Sequence, residues 1–166
     1  MGRLWHRLNL YRQTDPHRGF NVLRKWAATK SQGAFVFTSN VDGQFQKTGF
    51  ADERITECHG SIHWLQCIDE CSQQTWAADD VSPVIDDHSF RLNSPVPTCP
   101  SCGAVAQPNI LMFNDSHWIE AQSQRQIRKL EGWIPQGRGV GIADTALHFL
   151  ERFERFPRGP PDRRCT

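Results

Sequence analysis

No stretch of this 166-residue chain approaches the ~18–20 consecutive apolar residues of a membrane span, which argues against a transmembrane helix. Charge of one sign is missing too: 19 Lys and Arg stand against 18 Asp and Glu, a formal +1. That balance gives no general attraction to nucleic acid or to a membrane surface. Residues Met1–Tyr11 hold arginines and a histidine but no continuous apolar run, so they do not read as a secretory signal. The expected compartment is therefore the cytoplasm, where thiols stay reduced and metal ligation is favoured over disulfides. No internal repeat is visible.

What is present suits one ordinary domain, or a core with a small inserted module, since 38% of the residues are apolar and six are tryptophan. The six cysteines are unevenly placed. Cys67 with Cys71 and Cys99 with Cys102 form two close pairs, while Cys58 and Cys165 stand alone. Four paired and two single thiols point to one zinc site plus bystanders.

Along the chain, Leu4, Trp5, Leu8 and Tyr11 recur at helical spacing. Asp15 and Pro16 then predict a new helix, capped by the first and begun by the second, with Phe20, Leu23 and Trp26 on one face. Ala34–Thr38 (A-F-V-F-T) is a short apolar run without alternation, the pattern of a strand covered on both faces of a parallel sheet. A polar turn, Ser39–Gly43, and a short helix, Gln44–Thr48, follow. This order suggests a doubly wound α/β sheet, in which ligands bind at the carboxyl ends of the strands. Arg54–Cys58 is a second strand candidate, with His59 and Gly60 just past its end.

Ser72–Thr98, rich in Asp, Ser and Pro, reads as a loop excursion between the cysteine pairs. Pro108–Phe113 is another buried apolar run, and Glu120–Leu130 is expected to be helical. Gly137–Gly141 matches no phosphate-binding fingerprint, Ala143–Phe153 has a helical face, and the proline- and arginine-rich residues beyond Phe156 read as disordered.

Four segments carry chemistry. Cys67, Cys71, Cys99 and Cys102 supply four sulfur ligands on two knuckle-like turns, enough for a closed, structural zinc site. Thr38, Ser39, Asn40 and Asp42 lie directly after the buried strand, where polar groups can bond a ribose or an amide, although Asn and Asp are also ordinary turn residues. His59, at a strand end before a glycine, has the pKa range of a general base, while a single histidine is more often a packing residue. Ile110, Leu111 and Phe113 belong to an apolar run that periodicity alone assigns to the core.

Taken in order, these segments resemble the sirtuin family. Thr38–Gly49 (T-S-N-V-D-G-Q-F-Q-K-T-G) is similar to its T-Q-N-I-D-x-L-H-x-x-A-G motif, and Glu57–Gly60 (E-C-H-G) to its E-L-H-G. The four cysteines are similar to its zinc module, Ala106–Asp115 (A-Q-P-N-I-L-M-F-N-D) to its L-R-P-x-V-V-x-F-G-E, and Asp15–Trp26 to the helix before the first motif.

The resemblance implies an α/β fold, a partial Rossmann-like parallel sheet with an inserted zinc-ribbon module. The Rossmann-like NAD-binding core would be residues 1–66 and 106–153, the zinc module residues 67–105, and the tail 154–166. It implies an NAD-dependent protein lysine deacetylase or deacylase that releases nicotinamide and transfers the acyl group to ADP-ribose. Thr38, Ser39, Asn40 and Asp42 would contact NAD, and His59 would be the general base that deprotonates a ribose hydroxyl. Ile110, Leu111 and Phe113 would line the acyl-lysine tunnel and present a strand edge to the substrate backbone.

Departures from the family pattern accompany this. Ser39 stands where the family has Gln, Asn114 where it has Gly, and no glycine-rich G-A-G-x-S turn or P-D-F-R segment is found. The expected chain is thus a sirtuin truncated at its amino terminus and atypical at its carboxyl terminus, where Gly137–Asp144 is a faint echo of the family's strand and glycine turn. Alternatives are a sirtuin-type ADP-ribosyltransferase and an inactive fragment serving as a zinc-ribbon binding module. A parallel sheet with an open edge also suggests a homodimer.

Overall fold

The computed structural model describes residues 2–112, 115–134 and the backbone of 140–143. The elements in chain order are helix α1 (Gly2–Gln13), α2 (Arg18–Ala28), strand β1 (Ala34–Thr38), the one-turn helix α3 (Gln44–Lys47), β2 (Ile55–Glu57), β3 (Gly60–Cys67), β4 (Trp76–Ala77), β5 (Ala106–Ile110), α4 (Ala121–Trp133) and β6 (Val140–Ala143). Among these, no helix is long and apolar enough to cross a membrane.

The helices follow their apolar spacing, with local corrections. Trp5 and Leu8 of α1 are fully buried. The cap of α2 is His17 rather than Asp15, and the helix opens at Arg18 rather than at Pro16. A residue before proline is held extended, and the side chain at the required offset is the imidazole of His17, whose Nδ1 accepts the Gly19 N–H at 2.9 Å.

Two three-stranded sheets organise the described residues. In the first, β1 is central and pairs in parallel with β2 (Thr38 opposite Glu57) and with β6 (Val36 opposite Ile142). The strand at the faint carboxyl-terminal echo is therefore real and neighbours β1. On one face of this sheet Phe20, Leu23 and Ala27 of α2 pack with Val36, Phe45, Phe50 and Ile55. On the other, Phe35 meets Trp133 of α4, ring centres 5.6 Å apart. Cover on both faces explains the unbroken apolar run of β1.

The second sheet is antiparallel, with β3 between β4 and β5. Periodicity alone assigns no strand to Gly60–Gln66 and cannot say which sheet the Ala106–Ile110 segment joins; backbone pairing unites both with the cysteines. Helix α1 packs on this sheet, where Trp5 and Leu8 join Ile62, Leu65, Ala78, Ala106 and Ile110 in one core. Arg12 ties α1 to the excursion between the cysteine pairs by donating to the carbonyls of Val81 and Ala78 at 2.6 and 2.7 Å. Lys47 Nζ donates to the Thr14 and Arg12 carbonyls at the end of α1.

Helix α4 also closes the outer edge of β2. Cys58 N–H, which follows β2, bonds the Thr38 carbonyl, so by strand alternation the Glu57 backbone points the other way. There Gln126 Oε1 accepts the Glu57 N–H at 2.9 Å, and Ser123 Oγ donates to the Glu57 carbonyl at 2.8 Å. Most of the helix expected at Ala143–Phe153 and all of the tail 154–166 lie outside the described residues.

Candidate active site and metal centre

The polar turn after β1 is shaped by its own side chains. Buried Thr38 accepts the Asn40 N–H on its Oγ1 at 3.0 Å. Asp42 Oδ1 accepts the Gln44 N–H at 3.0 Å, which starts α3, and Gly43 turns the chain at φ +72°. Ser39 and Asp42 are half-buried and Asn40 is exposed, so the turn presents its polar groups outward at the carboxyl end of the sheet.

His59 lies where the chain passes from one sheet to the other. Cys58 N–H bonds the Thr38 carbonyl, the next residue's carbonyl accepts from Leu111 N–H, both at 2.9 Å, and Gly60 then begins β3 opposite Ile110. The half-buried His59 is thereby held between the Thr38–Asp42 turn and the Ile110–Leu111 strand end. Ile110 is buried in the core beside Trp5 and Leu8, whereas Leu111 is partly open. Phe113 lies outside the described residues.

Behind His59, Glu57 is 3% exposed. Burial pushes its carboxyl above the ordinary carboxylate range, and hydrogen bonds from Ser61, Gln46 and Gln126 oppose this only in part.

The four paired thiols come together: their Sγ atoms all lie within 4.8 Å of one another, with Cys67–Cys102 at 3.5 Å and Cys71–Cys99 at 3.6 Å. Zinc with bonds of ~2.3 Å in a tetrahedron sets sulfurs ~3.8 Å apart, so the donor set fits that ion. The turns are built for it, with Glu70 at φ +47° and Gly103 at φ +76°. Burial pushes the Cys99 thiol up, but the backbone N–H groups of Ser101 and Cys102 together with the Cys71 and Cys102 thiols outweigh it and bring it down to about 6. The thiols of Cys102, Cys99 and Cys67 around Cys71 push that group up to about 12. One sulfur is ready to ionise while its neighbour resists a second negative charge, and a divalent cation resolves that conflict.

A buried amide pair supports both regions and was missed in the sequence. Asn109 of β5 donates to Gln66 Oε1 at 2.7 Å and to the Ile119 carbonyl at 2.9 Å. Gln66 of β3 also accepts the Ile119 N–H and donates to the His117 carbonyl. Trp118, between these pinned residues, stands against Gly60. A polar Asn inside an otherwise apolar run was the available signal.

Residues 3–134 match the model of the Sir2 family. The chain belongs to the Sir2 family. An NAD-dependent protein deacetylase of Shouchella clausii (strain KSM-K16) is 30% identical over 144 residues, which cover 85% of this chain and 53% of that protein. A probable bifunctional ADP-ribose hydrolase/ADP-ribosyltransferase of Fusarium oxysporum f. sp. cubense is 27% identical over 157 residues, 85% of this chain and 26% of its own length. The fold matches that of Sir2Tm bound to a propionylated peptide with a TM-score of 0.51 at 23% identity, covering 80% of this chain and 49% of that one. The chain thus spans about half the length of the Shouchella relative and of that solved structure, and about a quarter of the Fusarium protein.

Proposed function

We propose that this Sir2-family chain acts in NAD-dependent removal of acyl groups from protein lysines, releasing nicotinamide and transferring the acyl group to ADP-ribose. The observation that carries this is the placement of His59, tied within two residues to the carboxyl end of β1 and to the end of β5. Thr38, Ser39, Asn40 and Asp42 face the nicotinamide and its ribose. Ile110, Leu111 and Phe113 line the acyl-lysine path, and the strand end at Leu111 pairs with substrate backbone.

His59 would act as the general base that takes a proton from a ribose hydroxyl. Cys67, Cys71, Cys99 and Cys102 hold a structural zinc with no position open for catalysis. The soluble cytoplasm is the compartment that suits reduced thiols. Self-association through this sheet would use β6, because α4 hydrogen-bonds the β2 edge at Glu57.

The test is nicotinamide release from NAD with an acetyl-lysine peptide by the zinc-loaded chain. Release that disappears in His59→Ala supports the assignment, and release unaffected by that change removes it. ADP-ribosyl transfer is the second reading, favoured by the Fusarium relative's name; ADP-ribose retained on a target protein would distinguish it.

A further inference from the structure

The β3–β5 ladder is interrupted beside the site. Ser61 pairs with Asn109 and Leu65 with Pro108, so Ile62, His63 and Trp64 have no partners in β5 while the partner strand adds none. Such an irregularity bends a strand and re-aims its side chains. Trp64 stays paired with Ala77 of β4, while Ile62 and His63 turn to the Asn40–Gly43 segment. Ile62 N–H donates to the Val41 carbonyl at 2.9 Å, and His63 Nε2 lies 3.0 Å from the Asp42 carbonyl. A carbonyl only accepts, so Nε2 carries the proton in either charge state of the ring. The imidazole also fills the space over Gly43: a Cβ there would lie 2.8 Å from His63 Cδ2 and Nε2.

We propose that His63 is a positioning residue for the cofactor, fastening Asp42 from the cysteine-bearing sheet so that the turn keeps the shape a nicotinamide riboside requires. Within the loop, the Thr38 and Asp42 side chains accept the Asn40 and Gln44 N–H groups. The two bonds from β3 restrain the Val41 and Asp42 carbonyls from outside. The irregularity in β3 is thus a device of the site rather than a flaw in the ladder. This rests on the proposed use of NAD, and the test separates the two.

The experiment compares zinc-loaded wild type, His63→Ala and His63→Gln. Calorimetric titration with NAD should show about tenfold weaker binding for His63→Ala, the scale of one lost hydrogen bond. His63→Gln, whose amide still donates, should recover most of the affinity. ADP, which lacks the nicotinamide riboside, should bind all three alike, and the thermal midpoints should agree. Hydrogen exchange of the Asn40–Gln44 amides in the ligand-free chain should speed up about tenfold in His63→Ala while β1 stays protected.

Unchanged exchange in that segment, unchanged NAD affinity in His63→Ala, or a common loss of NAD binding, ADP binding and melting midpoint would each overturn the assignment. Wild type that fails to bind NAD removes the proposed function, and the exchange result still decides whether His63 fastens the turn.

Discussion

Gln66 and Asn109, each about 1% exposed, face one another from adjacent antiparallel strands, and the Asn109 amide donates to Gln66 Oε1 at 2.7 Å. Among the described residues, the further side-chain bonds of the pair go to the backbone of His117 and Ile119. The amides therefore staple the segment after β5 to the sheet that bears the cysteines.

Replacing Asn109 by Leu strands the Ile119 carbonyl and removes one partner of Gln66. A buried polar group left unsatisfied costs about 1–3 kcal/mol, so Asn109→Leu should lower unfolding stability by about 2 kcal/mol. Urea unfolding followed by tryptophan fluorescence checks it, and a variant as stable as wild type would show the staple to be dispensable.

Gly60 cannot carry a side chain. At φ +75° an added Cβ would lie 2.1 Å from the Asn109 carbonyl oxygen and 3.1 Å from Trp118 Nε1. Gly60→Ala should therefore cost about 3 kcal/mol or more and shift the preceding His59. A thermal midpoint within one or two degrees of wild type would contradict this crowding.

Metal content should be one zinc per chain. Cys99→Ser removes a thiol whose surroundings bring it down to about 6, and should abolish stoichiometric zinc and destabilise the β3–β5 sheet by about 3 kcal/mol or more. Metal analysis after gel filtration, with chelator-induced loss of protection at Cys67 and Ala106, is the measurement.

Glu57 gives a pH dependence of definite sign. Its folded-state carboxyl lies above the ordinary value of 4.5 because burial disfavours the charge. As pH rises past that value, the unfolded chain releases its proton first. The contribution of this group is thus full below the ordinary value and is lost as pH climbs through the raised one. Glu57→Gln should flatten that decline in urea midpoints as pH rises above 4.5; an unaltered slope would assign it to other groups.

Much of this was legible in advance because short motifs and continuous apolar runs are local signals. Ala34–Thr38 showed its two covered faces by lacking alternation, and the cysteine pairs gathered as their spacing required. What spacing does not carry is partnership. Gly60–Gln66 mixes polar and apolar residues because α1 covers part of it while His63 and Gln66 serve other segments. The strand at Ala106–Ile110 reads like core in either sheet, and only hydrogen bonding decides which. Asp15 lost the helix cap because the proline after it holds the chain extended until His17 takes over.

The seal that α4 places along β2 bears on how the molecule meets other chains. With Gln126 and Ser123 occupying the outward backbone of Glu57, an incoming strand finds no free template at that rim. Mispairing there demands prior detachment of a whole helix, which makes it an event of partial unfolding and not of simple collision.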